Sequence, residues 1–201
     1  PNHKVILKTF FKNILRQSMM YYPSQKELTT AVSLLEKGEV IAYPTEAVFG
    51  LGCDPFNELA MQKLLHVKQR PLEKGVILIA SNLQQITGLV ELTDQAWQSK
   101  VEASWPGPVT WVLPVKETLP HWITGGRDTV AVRVSSHPTV CKLCDEFGGA
   151  IVSTSANLTG EEPAKSCQQI QQIFQNQVYC LNGKLGQLSK PTQIWDAVSQ
   201  I

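Results

Sequence analysis

The stretch from Val40 to Pro55, VIAYPTEAVFGLGCDP, most constrains how this chain can fold. It begins with four apolar residues, a run that is typical of a buried strand. Pro44 ends that strand, because proline brings no N–H and holds the preceding residue extended. Thr45 comes next, and Gly50 and Gly52 are expected to keep the following segment loose. A strand that stops at polar residues and opens into a glycine-containing loop predicts a ligand-binding strand end.

The rest of the chain alternates predicted strands and helices without an internal repeat or a low-complexity linker. Ser24 and Glu27 predict a capping box at the start of a helix that Gly38 ends. The apolar run 76–80 is typical of a central strand, and strands at 109–113 and 129–134 look like hairpin neighbours. The pattern predicts a single α/β domain, with an open twisted mixed sheet of parallel and antiparallel strands flanked by helices. Further elements are expected as strands at 40–44, 150–153 and 178–181, helices at 57–67, 82–88, 93–103, 137–147 and 164–175, and a loop at 118–124.

The first 18 residues differ from the body of the chain. They combine an apolar helical stripe with four basic residues and no acid, which leaves a formal charge of −3 for residues 19–201 out of a total of +1. One interpretation is a membrane-surface or presequence-like amphipathic helix. The favoured interpretation is a vector-derived or upstream-translated extension before a domain at 19–201, which starts at Met19 or Met20. Because the body is slightly acidic, any anion site must be a local cluster.

Five scattered cysteines, an odd number, predict reduced thiols in a cytoplasmic protein and not a set of disulfides. Cys141-x-x-Cys144 with His137 nearby suggests zinc, but a structural zinc site needs four ligands and no second pair stands at a helpful spacing. Two buried thiols on one helix are the favoured interpretation. No uncharged apolar run reaches roughly 18 residues, so no transmembrane span and no membrane partner are expected.

Several familiar catalytic devices are absent from the sequence. It contains no P-loop, no G-x-S-x-G elbow and no H-E-x-x-H, and Gly50-Leu-Gly52 is too short for a dinucleotide fingerprint. The four histidines stand in unrelated contexts, so a Ser/His or Cys/His pair is not supported.

Hydroxyl, amide and cationic residues recur instead at the predicted strand ends, a set that suits an anionic ligand such as a phosphate chain or a carboxylate. For any single lysine or arginine the ordinary interpretation is a solvated surface charge, and the Ser153–Asn157 run could equally be a capped turn. Arg133 differs, because inside the apolar alternation VAVRV it needs an anionic partner if its face is covered. The members of the set are Thr45, Lys68, Arg70, Lys74, Thr110, Thr129, Arg133, Ser153, Ser155, Asn157 and Thr192.

Five motifs together resemble the YrdC/TsaC family in its short, single-domain form, in family order and spacing over about residues 24–196. They are Tyr43-Pro-Thr-Glu-Ala-Val-Phe-Gly-Leu-Gly52, Lys68-x-Arg70, Trp105-Pro-Gly-Pro-Val-Thr110, Ala131-Val-Arg-Val134 and Ser153-x-Ser-Ala-Asn157. The resemblance implies a YrdC-like fold with a basic concave cleft and the activity of an L-threonylcarbamoyladenylate synthase, a nucleotidyltransferase. Such enzymes join L-threonine, bicarbonate and ATP into threonylcarbamoyl-AMP and release pyrophosphate. The product serves threonylcarbamoylation of adenosine 37 in ANN-decoding tRNAs.

The resemblance also implies a role for each matching position. Thr45 would bind threonine, Arg133 would hold the threonine or carbamate carboxylate, and Thr192 keeps the hydroxyl of a family serine. Lys68 and Arg70 would contact ATP phosphates and, with Arg133, carry the catalysis. The remaining expected ATP contacts are Thr129, Ser153, Ser155 and Asn157. Two positions depart from the family pattern: Trp195 stands where close relatives often have Arg, and Ile79 where two-domain members often have His.

The implied cofactor is Mg²⁺ bound to ATP, with no structural metal in the protein. The implied partners are ATP, L-threonine, bicarbonate and the TsaB/TsaD/TsaE-type proteins that would receive the adenylate, with tRNA as a further candidate. Displacement at the α-phosphorus needs charge neutralisation and alignment, so no single residue is expected to act as an essential general base. The alternative classes are a non-catalytic RNA-binding module that uses the same cleft and an anion-binding regulator with a decayed site.

Overall fold

The computed structural model describes residues 22–117 and 119–200. The interpretations of residues 1–18, and of a start at Met19 or Met20, therefore lie outside the described residues. None of the helices in the two described ranges combines the length and the apolar composition that a bilayer crossing requires.

The strands form one eight-stranded sheet within the described residues. They are β1 (Ile41–Pro44), β2 (Phe49–Gly52), β3 (Ile77–Ala80), β4 (Val109–Pro114), β5 (Thr129–Val134), β6 (Ile151–Ser155), β7 (Tyr179–Cys180) and β8 (Gln193–Asp196). Their order is β7-β1-β2-β6-β3-β5-β4-β8. The pairs β1–β7, β3–β5 and β4–β8 are parallel, whereas β1–β2, β2–β6, β3–β6 and β4–β5 are antiparallel. The predicted mixed sheet is confirmed, as are the central place of β3 and the antiparallel neighbours β4 and β5.

Helices cover the sheet on both sides. Ser24 caps the first of them, and Ser24 and Glu27 form the predicted capping box. The helices are α1 (Gln25–Glu36), α2 (Glu58–Lys68), α3 (Gln98–Ala103), α4 (His121–Thr124), α5 (Pro138–Phe147) and α6 (Cys167–Phe174), and short 3-10 turns lie at Leu72–Lys74, Leu83–Gln85, Gln175–Gln177 and Val198–Gln200.

The two faces of the sheet are covered to different extents. On one face the larger core packs against α2, α3 and α6, with Leu78 and Val132 among its fully buried members. On the opposite face α1 and α5 cover only part of the sheet, where they bury Tyr43, Ile79 and Ile151. Residues paired in register share a face, so the rest of this second face, across β6, β3, β5, β4 and β8, stays free of helices. The site described below lies there.

Gly50 and Gly52 lie inside strand β2, so the prediction of a loose segment is wrong. The glycines are needed for packing, because the ring of Tyr43 lies across this part of the sheet. A Cβ at Gly52 would lie 2.4 Å from the carbonyl oxygen of Val152 and 2.8 Å from the Tyr43 ring. The sequence therefore places glycine where two chain segments approach closely, not where the chain must move.

Three further element predictions need correction. The helix expected at 82–88 is only a 3-10 turn at Leu83–Gln85, and the helix expected at 93–103 begins at Gln98. The expected loop at 118–124 contains α4, which begins directly after Pro120. Strand β8 was not predicted, because all four of its residues are exposed and no apolar alternation marks it.

The expectation of five reduced thiols is wrong for Cys167 and Cys180, which form a disulfide. Helix α6 packs beside strand β7, and this arrangement brings the two Cα atoms to 5.7 Å although 13 positions separate them in sequence. Cys53, Cys141 and Cys144 are free, and Cys144 is buried while Cys141 is half-buried. The inference of a reducing compartment therefore loses its basis.

Candidate active site

A cavity of about 250 Å³ opens on the uncovered part of the sheet face. Six of the nine predicted site residues line it, and Lys68, Asn157 and Thr129 do not. Among the described residues that line it, none is acidic. The lining consists of Thr45, Ala47, Val48, Phe49, Gly50, Arg70, Ile77, Arg133, Ser153, Thr154, Ser155, Pro191, Thr192 and Ile194.

Thr45 sits in the tight connection between β1 and β2. Pro44 ends β1, and the chain turns so that both the N–H and the hydroxyl of Thr45 donate to the carbonyl of Val48, at 3.1 and 2.7 Å. The carbonyl of Thr45 accepts from the N–H of Gly186 at 2.9 Å. The Thr45 hydroxyl is thus fixed in direction, and its lone pairs remain available to accept a hydrogen bond.

Arg133 lies on the open face of β5 and is 5% exposed. Its predicted anionic partner is Glu46, whose Oε2 lies 3.4 Å from Arg133 Nη2. Arg133 Nη1 also donates to the hydroxyl of Thr192. The sequence indicated that a partner must exist but did not indicate which acid it is, because strand order and chain path decide that contact.

Thr192 reaches the cavity on a segment that crosses the end of β1. Besides the Gly186 contact with Thr45, the N–H of Leu188 donates to the carbonyl of Glu46 at 3.1 Å. Gly186 passes so close that a Cβ there would lie 2.6 Å from the Glu46 carbonyl oxygen. The segment 183–192 is therefore fastened to Thr45 and Glu46 by backbone contacts, and it brings Pro191 and Thr192 to the cavity wall.

Lys68, at the end of α2, is 2% exposed and points at the loop that follows β6. Its Nζ lies 2.5 Å from the Ser155 carbonyl, 3.0 Å from the Asn157 carbonyl, 2.9 Å from Asn157 Oδ1 and 3.4 Å from Ser155 Oγ. These four oxygens occupy all the donors of the ammonium group. Burial lowers the pKa of Lys68 to about 8, and the nearby charges of Arg70 and Lys74 add to this shift.

The Ser153–Asn157 loop is held from inside as well. Ser155 Oγ donates to Asn157 Oδ1 at 2.6 Å, and Asn157 Nδ2 donates to the carbonyl of Glu161 at 2.6 Å. Asn157 is buried behind the loop, whereas Ser153 and Ser155 line the cavity. Lys68 and Asn157 thus support the wall that carries the two serines.

Arg70 lines the cavity from the side of the α2 exit. Its Nε and Nη2 both donate to the carbonyl of Gly75, at 3.1 and 3.0 Å. These two hydrogen bonds fix the plane of the guanidinium group. Burial lowers the pKa of Arg70 from its ordinary value. Lys74 is exposed on the neighbouring 3-10 turn and does not line the cavity.

The remaining predicted positions lie outside the cavity lining. Thr129 lies on the same face of β5 as Arg133, four residues earlier, and Thr110 is fully buried on β4, in register with Ile194 of the neighbouring strand β8. Trp195 pairs with Trp111 on the opposite face of the sheet, while Ile194 faces the cavity. Ile79 is buried in the core beneath α1 and α5, so an apolar residue fits there.

The described residues contain no group of three or more His, Cys, Asp or Glu side chains placed to hold a metal ion. His137 instead stands at the start of α5, where Nε2 lies 3.0 Å from the carbonyl of Lys184. Burial lowers the pKa of His137, and the Cys144 thiol contacts the Ile79 carbonyl at 3.5 Å. These groups belong to the packing of α5.

The Sua5/YciO/YrdC family, described as telomere recombination, matches residues 33–201. The chain belongs to this family. The family resemblance and the YrdC-like α/β fold expected from the sequence are both confirmed.

Individual members of the Sua5/YciO/YrdC family are similar over most of the chain. A protein named threonylcarbamoyl-AMP synthase from Hydrogenovibrio crunogenus is 53% identical over 86% of this chain and 94% of its own length. A protein of the same name from Photobacterium profundum is 52% identical over 86% of this chain and 95% of its own. The P. abyssi Sua5 structure complexed with L-threonine has a TM-score of 0.78 at 30% identity, over 84% of this chain and 50% of that chain.

The wall of the cavity therefore carries hydroxyl groups, two guanidinium groups and the loop with Ser153 and Ser155. Such a lining can bind and align anions, and it offers no activated nucleophile. Sequence reasoning missed Glu46 as a member of this cluster. The available signal was the single acid in PTEAVFG, directly after a predicted buried strand, because an acid is rarely buried unless it is paired.

Proposed function

We propose that this chain is a threonylcarbamoyl-AMP synthase, which converts L-threonine, bicarbonate and ATP into L-threonylcarbamoyladenylate and pyrophosphate. The observation that carries the proposal is one cavity in which Thr45, Arg133 and Thr192 face Arg70 and the two serines. The names of the 53% and 52% identical relatives support the same activity.

The two groups of residues suggest two subsites. Thr45, Arg133 and Thr192 form the threonine subsite, because hydroxyl groups and one guanidinium suit a small zwitterion with its own hydroxyl. The P. abyssi Sua5 structure complexed with L-threonine supports L-threonine as a ligand of this fold. Arg70, Ser153 and Ser155 form the nucleotide subsite, with Thr129 further along the same sheet face. Lys68 and Asn157 act in it by holding the loop.

The size of the cavity fits a partly open nucleotide site. At about 250 Å³ it lies below the roughly 300–1,000 Å³ that enclosed sites for drug-sized ligands occupy. Threonine and the reacting phosphate fit within it, and the rest of ATP extends along the open sheet face.

The reaction needs alignment more than proton transfer. The threonine amine attacks bicarbonate, a C–N bond forms, and water leaves to give the carbamate. A carbamate oxygen then attacks the α-phosphorus, and the bond to the bridging oxygen breaks, so that pyrophosphate leaves. Arg70 and Arg133 neutralise two anions that would otherwise repel each other, and they are the proposed catalytic residues, while Lys68 positions the loop that carries the two serines.

Mg²⁺ enters as the complex with ATP, because the described lining offers it no carboxylate. The adenylate is an activated intermediate, so a second protein must consume it. We propose the cytoplasm for that step because tRNA is found there, independently of the cysteine pattern. The recipients would be TsaB/TsaD/TsaE-type proteins, and the final acceptor would be the adenosine of ANN-decoding tRNAs.

The competing proposal is a non-catalytic RNA-binding module. The small cavity fits it poorly, since RNA binders present basic residues interleaved with exposed aromatics for base stacking. Trp195, the exposed aromatic on β8, faces away from the cavity.

The deciding experiment is mass spectrometry for threonylcarbamoyl-AMP after incubation with ATP, threonine and bicarbonate in the absence of RNA. We expect the adenylate and an equal amount of pyrophosphate, and neither product when threonine or bicarbonate is left out. Retention of RNA with no threonine-dependent use of ATP would instead establish the binding module.

A further inference from the structure

Glu46 is a buried acid directly beside the cavity that forms no part of its lining. It is 7% exposed, while its neighbours Thr45 and Ala47 both face the cavity. A buried carboxylate is costly unless it is paired and hydrogen-bonded, so its contacts indicate what it does.

The carboxylate of Glu46 is fixed by Ser135. Ser135 Oγ donates to Glu46 Oε1 at 2.6 Å and accepts from the N–H of His137 at 3.0 Å. Because the Ser135 hydroxyl already accepts from the start of α5, its single proton is directed to Glu46. This hydrogen bond to a carboxylate is short and buried, which makes it stronger than a neutral one.

The other oxygen of Glu46 faces Arg133. Glu46 Oε2 lies 3.4 Å from Arg133 Nη2, and both side chains are more than nine-tenths buried. The other terminal nitrogen of the guanidinium, Nη1, donates to the hydroxyl of Thr192. Within the described residues Glu46 Oε2 accepts no hydrogen bond, so Glu46 attracts the guanidinium by charge, while Thr192 holds it by a hydrogen bond. The charge and the hydrogen bond together orient the group at the wall of the cavity.

The backbone of Glu46 is held independently of its side chain. Its carbonyl accepts from the N–H of Leu188, and Gly186 packs directly against it. Removing the negative charge should therefore leave the chain path of the PTE segment in place. The effect would fall on Arg133, which would lose its only ionic partner among the described residues.

We propose that Glu46 is a positioning residue that sets the orientation of Arg133 for the threonine carboxylate, with Ser135 as its anchor. The proposal rests on the proposed function. It adds that the threonine subsite depends on an acid that does not touch the substrate.

The first test compares Glu46→Gln with the exposed control Glu36→Gln. The carboxamide has nearly the same shape but can place an N–H group against the Arg133 cation, so the guanidinium should turn away. We expect the KM for threonine to rise roughly 10-fold, while the KM for ATP stays within about 2-fold. A loss of folding alone would lower the active fraction and leave both KM values unchanged.

A double-mutant cycle with Arg133→Met distinguishes an effect of Glu46 through Arg133 from an unrelated disturbance of the protein structure. If Glu46 acts through Arg133, Glu46→Gln adds nothing once the guanidinium is gone, and the double variant matches Arg133→Met within about 2-fold. Independent effects would multiply, to about 10 times the KM of Arg133→Met, and would overturn the proposal. If Glu46→Gln does not fold, Ser135→Ala keeps the charge and should raise the KM for threonine about 3-fold, again only when Arg133 is present.

A spectroscopic measurement tests the inference without any catalysis. Nitrogen-15 NMR of the arginine side chains should show restricted rotation of the Arg133 guanidinium in the wild type and free rotation in Glu46→Gln. Restricted rotation in both proteins would overturn the inference. An inactive wild type that still shows this difference would contradict the proposed function and not the role of Glu46.

Discussion

At one end of the cavity a buried arginine faces a buried carboxylate, whereas at the other end a buried lysine faces only neutral oxygens. Arg133 is paired with Glu46, so that end carries almost no net charge. Lys68 is surrounded by oxygens of Ser155 and Asn157, and Arg70 is held by the carbonyl of Gly75. The second end therefore keeps two uncompensated positive charges.

The difference matches the charges of the two proposed substrates. ATP carries several negative charges, and an end with uncompensated cations attracts it even when the cations are partly covered. Threonine is a zwitterion, and a compensated Arg133 can bind its carboxylate by orientation and hydrogen bonds without a strong field. A substitution at one end should therefore leave substrate binding at the other end almost unchanged.

The largest effect is expected from Lys68→Met. The loop would lose the ammonium group that holds Ser155 and Asn157, and misplacement of a wall by about 1 Å can cost roughly 100-fold in rate. We expect kcat/KM for ATP to fall by about that factor in a pyrophosphate-release assay, with a much smaller change in the KM for threonine.

The matched control for Lys68→Met is Lys63→Met on the same helix, where the side chain is exposed and pairs with Glu39 at the surface. An exposed pair of this kind contributes little, so this variant should behave like the wild type. If Lys68→Met kept an activity within about 3-fold of the wild type, Lys68 would have no role at the nucleotide end.

The next largest effect is expected at the other end, from Arg133→Met. Loss of a hydrogen-bonded charge contact to a carboxylate costs about 2 kcal/mol, or roughly 30-fold in the dissociation constant of threonine. Calorimetric titration with threonine in the absence of ATP measures this directly. The exposed Arg127→Met is the control, and an equal rise in the KM for ATP would show that the two ends are not separate.

The sequence predicted most of the residue types at the two ends of the cavity, and little of how these residues are arranged in space. The strands β1, β3, β4, β5 and β6 and their polar ends could be located, because apolar runs and turn residues are local signals. Six of the nine predicted site residues line one cavity, since strands place their ends together.

What could not be predicted depends on contacts between distant segments. The pairing of Glu46 with Arg133 requires β2, β6, β3 and β5 to be neighbours in that order. Two of the four oxygens around Lys68 are backbone carbonyls, which have no sequence signature. β2 was missed because its glycines resemble a loop, and their role is visible only once the Tyr43 ring lies beside them.

A smaller effect is expected from pH, and it should appear only at the nucleotide end. Because the pKa of Lys68 is lowered to about 8, its charge is lost as the pH rises through 8, and ATP affinity should fall by up to about 10-fold per pH unit above it. The free energy of unfolding should instead rise as the pH increases through this range. The unfolded chain keeps this proton up to its ordinary pKa of 10.5, so the cost of burying the charge disappears between pH 8 and 10.5.

The measurement for this prediction is the KM for ATP from pH 6.5 to 9.5 in the wild type and in Lys68→Met. Titration of the substrates affects both proteins alike, so only the difference between the two profiles reports Lys68. The two profiles should diverge around pH 8. Parallel profiles would show that the lysine does not titrate in this range or does not influence ATP.

The smallest effect on activity is expected from the disulfide, which lies at neither end. Cys180→Ser removes the link between α6 and β7, and opening a loop of this length costs roughly 3 kcal/mol of unfolding free energy. Both KM values should stay within about 2-fold, and denaturant unfolding should lose its dependence on reducing agent. Cys141→Ser, at a free half-buried thiol, should keep that dependence. Because β7 pairs with β1, and β1 leads into Thr45, a changed KM for threonine in Cys180→Ser would show that this sheet edge also supports the threonine end.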